Sequence, residues 1–97
     1  MGRGAQRTRY VIRHLSSSAR TFLKQHRDEG TKAKVSEAFD IITRSPFHYQ
    51  KRIRSLKGKP KGEYRYRFGG IRIHYFVDRE SRAIDILNMD TRGDIVY

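Results

Sequence analysis

The chain has no cysteine among its 97 residues, which removes disulfides, thiolate nucleophiles and cysteine metal sites together and fits a reducing, cytoplasmic setting. Long apolar runs are missing too. No stretch approaches the ~20 residues that span a bilayer, and none sets a long apolar face against a basic one, so no membrane partner is expected. The basic start Met1-Gly2-Arg3-Gly4 is not followed by an apolar signal core, and no export signal is read there. Acidic residues are scarce: ten Asp and Glu stand against 22 Lys and Arg, a formal net charge of +12. A compact body with that excess repels itself until a polyanion or an acidic protein neutralises it. Nucleic acid is the first expectation.

What is present points to one small domain. A chain this short buries a modest fraction of its surface. With 36% hydrophobic and 33% charged residues, its interior must rest on a few aromatic and β-branched side chains, and marginal stability is expected without a partner. Residues 1–8 hold nothing apolar at regular spacing and read as a flexible basic arm, which leaves 9–97 as the domain.

The alternation Val11, Arg13, Leu15 against Tyr10, Ile12, His14 predicts a short strand with apolar groups on both faces, hence one inside a sheet. Ser16-Ser17-Ser18 supplies capping hydroxyls for a helix carrying Ala19, Phe22, Leu23 and His26, with Gly30 as its stop. Thr31 can cap a second helix along Val35, Ala38, Phe39 and Ile42, ended by Pro46. Two helices so closely joined predict an antiparallel hairpin. From Phe47 to Gly62 the pattern is basic and irregular, and Pro60 with two glycines reads as a loop. Two strongly alternating strands, Tyr64–Phe68 and Ile71–Val77, then flank Gly69-Gly70, a two-residue hairpin signal, and a third runs from Ala83 to Met89. The expected class is α+β: an N-terminal strand, a two-helix antiparallel hairpin, then a three-stranded antiparallel meander with the helices on one face.

The hairpin fixes a register. With Gly69-Gly70 as the turn, Arg67 faces Arg72, Arg65 faces His74 and Tyr64 faces Tyr75. One face then collects Tyr64, Tyr66, Phe68, Ile71, Ile73 and Tyr75 for the helices to cover, and the other collects Arg65, Arg67, Arg72 and His74. Like charges opposed across strands cost up to ~1 kcal/mol per pair, so Arg67 against Arg72 calls for an anion between them. Guanidinium groups match phosphate oxygens in a planar, bidentate way. From Lys51 to Arg72 there are nine Lys or Arg against the single acid Glu63, a net +8, so the charge is focused. Arg54, Lys57, Lys59 and Lys61 extend the candidate RNA-binding set. A plainer reading of the same arginines is that they keep an exposed sheet soluble and protected from edge pairing.

The order Leu56-Lys57-Gly58, Tyr64-Arg65-Tyr66-Arg67-Phe68-Gly69, Ile71-Arg72-Ile73 with Tyr75, and a closing Thr91-Arg92-Gly93-Asp94-Ile95 with Tyr97 resembles the RelE/ParE toxin family. The likeness runs from Arg9 onward and includes the helical hairpin before the meander. It implies a type II toxin–antitoxin toxin that enters the ribosomal A site and cuts mRNA without a metal or other cofactor, held inactive by a cognate antitoxin. Matched onto this chain, the family's site falls on Arg65, Arg67, Arg72, Arg92 and Tyr97. The implied chemistry is attack of a ribose 2′-hydroxyl on the adjacent phosphate, with cations neutralising the charge that develops.

Relatives often carry lysine where Arg65 and Arg67 stand, and arginine does not readily lose a proton at neutral pH. His74 is therefore the candidate general base, on the basic face opposite Arg65; the alternative is a surface histidine on a strand. Tyr97 can stack on a base or donate a proton, or fray as the last residue. His14, His26 and His48 have no partner at metal-site spacing. Asp90 and Asp94, near Arg92, offer two carboxylates to a metal, but the preferred expectation is that they pair with the arginine and fix its orientation. Because Ile84 and Ile86 share parity with Arg92, the arginine reaches the basic face only if a bulge or turn resets the alternation after Asn88. Two rivals keep the scaffold and discard the nuclease: a ParE-like poison of DNA gyrase, and a non-catalytic RNA-binding module.

Overall fold

The computed structural model describes residues 9–56 and 61–91. Its elements are β1 (Val11–Leu15), α1 (Ser17–Gln25), α2 (Glu29–Arg44), β2 (Ile53–Ser55), β3 (Glu63–Phe68), β4 (Ile71–Asp78) and β5 (Ala83–Thr91). They form an α+β fold whose five-stranded sheet has the order β1-β5-β4-β3-β2. All neighbours are antiparallel except β1, which pairs parallel to β5. The expected meander is present and gains a strand, because Ile53–Ser55 pairs with β3 inside the segment read as loop. Only Ile53 of the three is buried, too little alternation to stand out from the surrounding lysines and arginines.

Capping corrects the helix limits. Ser16 caps α1, its hydroxyl accepting from the Ala19 amide at 3.1 Å. The helix stops at Gln25, well before Gly30. Asp28, not Thr31, caps α2 by accepting from the Thr31 amide at 2.9 Å, so Gly30 lies in that helix's first turn. α2 ends at Arg44, with Ser45 as C-cap before Pro46.

Ala19 and Phe22 of α1 and Val35, Ala38, Ile41 and Ile42 of α2 share one core with Tyr66, Ile71, Ile73, Tyr75, Ile84 and Ile86 of the sheet. Tyr75 is fully buried, and its hydroxyl donates to the Pro46 carbonyl at 2.7 Å, which removes the cost of an unpaired polar group. Two side chains depart from the expected pattern. β1 is an edge strand and not an inner one, so Val11 is 61% exposed. Phe68 remains 47% exposed, and the Arg52 guanidinium covers it at 3.4 Å from the ring centroid.

β5 carries the irregularity that positions the other sheet face. His74 pairs with Asn88 and Tyr75 with Ile86, which leaves Leu87 as an extra residue. The reset therefore comes before Asn88, not after it. Ile84 and Ile86 point into the core, then Met89 does, which moves Asn88 and Asp90 to the arginine side. Serines from the start of α1 hold this bulge: the Ser16 amide donates to the Ile86 carbonyl at 2.9 Å and its hydroxyl to the Leu87 carbonyl at 2.7 Å. Ser18 adds a hydrogen bond from its hydroxyl to the Asn88 side-chain oxygen.

Candidate nucleic-acid interface

Gly69 and Gly70 adopt φ values of +67° and +87°, the left-handed pair that a two-residue turn needs. The resulting register places Arg65 opposite His74 and Arg67 opposite Arg72. Extending it across the sheet gives two rows on the face away from the helices. One runs Arg54, Arg65, His74, Asn88 and the other Arg67, Arg72, Asp90. At ~4.8 Å between strands, the longer row spans about 14 Å.

Two hollows meet at these rows. Lys51, Arg52, Arg54, Arg65 and Arg67 line one of about 140 Å³, while Leu56, Arg65, Arg72, His74, Asn88 and Asp90 line another of about 310 Å³. Arg65 belongs to both. Its pKa is held below the ordinary guanidinium range, first by partial burial and then by Arg67, Arg54 and Arg72. It remains a cation at neutral pH, but one whose surroundings disfavour its charge. Arg54, Arg65 and Arg67 form no ion pair with a carboxylate among the described residues.

Arg72 and His74 are engaged differently. Arg72 Nε donates to Asp90 Oδ1 at 2.8 Å, so the chain's own carboxylate relieves the Arg67–Arg72 opposition. The expected pairing of Asp90 with Arg92 falls on a residue outside the described ones. His74 Nε2 lies 2.9 Å from Glu63 Oε1, and both side chains are partly buried. His74 is thus neither a free surface histidine nor an unpartnered base. Glu63 is the only acid between Lys51 and Arg72, two residues before Arg65 and on the same strand face. That parity was the signal that could have found it.

Lys61 is separated from the arginine hollows and lines another with Tyr64, Phe76 and Arg79. Lys57, Lys59, Arg92, Asp94 and Tyr97 lie outside the described residues, as does the 1–8 arm. Arg52, absent from the candidate set, braces the site's underside. It contacts the Tyr66 hydroxyl at 3.1 Å and Glu37 at 3.5 Å while stacking on Phe68. No group of three or more His, Asp or Glu suited to a metal occurs among the described residues, and no helix among them is long and apolar enough to cross a membrane.

The family model for the ParE toxin of type II toxin–antitoxin systems, parDE, matches residues 8–95. The chain belongs to the RelE/ParE toxin family. It is a toxin of a type II toxin–antitoxin system. Among solved structures, it is similar to the toxin–antitoxin complex RelBE2 from Mycobacterium tuberculosis, at 27% identity and TM-score 0.69 over 87% of this chain and 99% of that one. It is also similar to the archaeal RelE–RelB complex from Pyrococcus horikoshii OT3, at 25% identity and TM-score 0.70 over 89% and 97%. The isolated Escherichia coli RelE toxin shares the fold at 14% identity, with TM-score 0.65 over 86% and 83%. No curated protein matches the chain in sequence.

Proposed function

We propose that this toxin is a RelE-type, metal-independent endoribonuclease that grips mRNA in the ribosomal A site with the arginine face of its sheet. The observation that carries the reading is the cluster of Arg54, Arg65 and Arg67, crowded on one face with no carboxylate partner among the described residues. A phosphodiester supplies the missing charge, and fixed guanidiniums are suited to the dianionic phosphorane that forms during transfer.

In the proposed step, His74 takes the 2′-hydroxyl proton and the 2′-oxygen bonds to phosphorus. The bond from phosphorus to the 5′-oxygen breaks, and that oxygen takes a proton from water. The products are a 2′,3′-cyclic phosphate and a 5′-hydroxyl, and the imidazolium returns its proton to solvent. With Glu63 accepting from Nε2–H, Nδ1 is the acceptor, the tautomer logic of carboxylate–imidazole pairs. Arg65 and Arg67 hold the phosphate, and Arg72 joins them once it leaves Asp90. Arg92 and Tyr97 complete the set that family resemblance implies.

A cognate antitoxin is the inhibiting partner in this reading. The two relatives above were solved as RelE–RelB-type complexes, and an acidic or amphipathic segment would neutralise the arginine rows. Action at the ribosome places the toxin in the cytoplasm.

A second reading, a ParE-like poison of DNA gyrase, is favoured by one feature: the two groups nearest the chemistry, Arg72 and His74, are held by Asp90 and Glu63. A binding surface needs neither of them free. An mRNA carrying a single 2′-deoxynucleotide at a mapped cut site separates the readings. The nuclease leaves that position intact and still cuts its neighbours. Inhibited supercoiling with no RNA cut anywhere supports the gyrase poison.

A further inference from the structure

At the end of β4 away from Arg72, a second cationic hollow opens between the C-terminus of α2 and the β4–β5 turn. Arg79 is seven residues from Arg72, roughly 20 Å along an extended strand. The hollow measures about 440 Å³, and Tyr10, Arg44, Phe47, His48, Arg79 and Arg82 line it. That volume suits one small ligand. Among the described residues, no acidic side chain is in its wall; Glu80, in the same turn, lines the neighbouring hollow with Lys61.

The cations here differ in availability. Arg44 is tied to Asp40 at 2.7 Å. Arg79 and Arg82 form no ion pair among the described residues. Arg79 stacks over the Phe47 ring at 4.1 Å, which fixes the guanidinium while leaving its in-plane N–H donors for a ligand. Phe47 is braced by edge contacts with Tyr10 at 6.0 Å and Tyr64 at 5.4 Å. Arg82 sits at φ +54°, a left-handed position that Gly or Asn fills at lower conformational cost. Strained non-glycine residues of this kind concentrate where a side chain has work to do.

We propose that this hollow binds one nucleotide of a single-stranded RNA, its phosphate between Arg79 and Arg82 and its base against the aromatic wall of Tyr10 and Phe47. The inference rests on the reading that RNA is the toxin's ligand and adds a second point of attachment beyond the arginine rows. Guanidiniums pair with phosphate bidentately, and aromatic side chains accept bases without regard to sequence. An acidic helix fits less well, because it needs an elongated groove and this is a local hollow.

Binding of a fluorescent 2′-O-methyl oligoribonucleotide, which the toxin cannot cleave, tests the site by anisotropy across a salt series. Two variants are compared with the wild type: R79Q/R82G, where glycine relieves the left-handed backbone and glutamine retains a long side chain, and R65A/R67A. R79Q/R82G is expected to bind about tenfold more weakly and to flatten the slope of log K against log salt by about 0.7, one single-strand phosphate. Its melting temperature should not fall. Unchanged affinity and slope in R79Q/R82G, with binding weakened in R65A/R67A, overturns the second site and leaves the RNA reading standing. Unchanged binding in both overturns both. Weakening in R79Q/R82G alone keeps this site and overturns the role of the arginine rows. Loss of binding to an acidic peptide but not to RNA assigns the hollow to a protein partner and overturns the proposal.

Discussion

Arg65 and Arg72 stand on one sheet face with opposite electrostatic situations. Among the described residues, the charges that set the Arg65 pKa are all cations, whereas Arg72 is bonded to Asp90. Removing Arg65 should therefore lose ligand binding with little loss of stability, since it takes away a like-charge opposition to Arg54. Arg65→Ala is expected to flatten the RNA salt slope by about 0.7 and to leave the melting temperature unchanged or raised, read by anisotropy and thermal denaturation. Asp90→Asn makes the complementary prediction. A partly exposed ion pair is worth at most ~1 kcal/mol, so freeing Arg72 should strengthen RNA binding by up to about fivefold, and weaker binding would show that Asp90 instead orients the arginine productively. The facing of Arg67 and Arg72 was legible in the sequence because a two-residue turn and a period of two leave one register. Their partners were not. Asp90 reaches Arg72 only because β5 slips by one residue, and Glu63 chose His74 over several nearby cations.

At the scale of elements, the bulge at Leu87 decides which side chains of β5 face the arginines. The Ser16-Ser17-Ser18 run was legible as a capping signal, but its grip on the Ile86 and Leu87 carbonyls joins residues 70 positions apart and leaves no local mark. Ser16→Ala removes both the cap and the Leu87 hydrogen bond. A cost of about 1–2 kcal/mol in chemical denaturation is expected, together with weaker RNA binding as the bulge that sets Asn88 beside His74 loses its Leu87 hydrogen bond. A purely local cap would cost the stability and spare the binding. β2 escaped notice because three residues at a sheet edge need only one buried side chain, and Arg54 and Ser55 on it remain exposed, as suits an edge. The N-cap of α2 adds a pH dependence. The Thr31 amide holds the Asp28 carboxyl below its ordinary 3.8, so its contribution is complete above that value and is lost as pH falls through the lower folded one. Thermal melts from pH 6 to pH 2 should therefore show a shallower acid limb for Asp28→Asn, which caps without titrating.

Across the whole molecule, a net charge of +12 includes cations paired with the chain's own carboxylates and cations that form no ion pair among the described residues. Arg13 is of the first kind, forked between Asp85 and Asp78 at 2.9 and 3.1 Å, where it ties β1 to the sheet. Arg54, Arg65 and Arg67 are of the second, and Arg79 and Arg82 join them at the far end of β4. Composition revealed the excess, and only the register could separate the two kinds. The most direct measurement is primer extension on an mRNA bound to translating ribosomes, with purified wild-type toxin and its R65A/R67A variant. Cuts at positions set by the ribosome are expected with the wild type and their loss with the variant, whose fold and antitoxin-free stability are retained. Intact mRNA in both, or equal cutting by the variant, would contradict it.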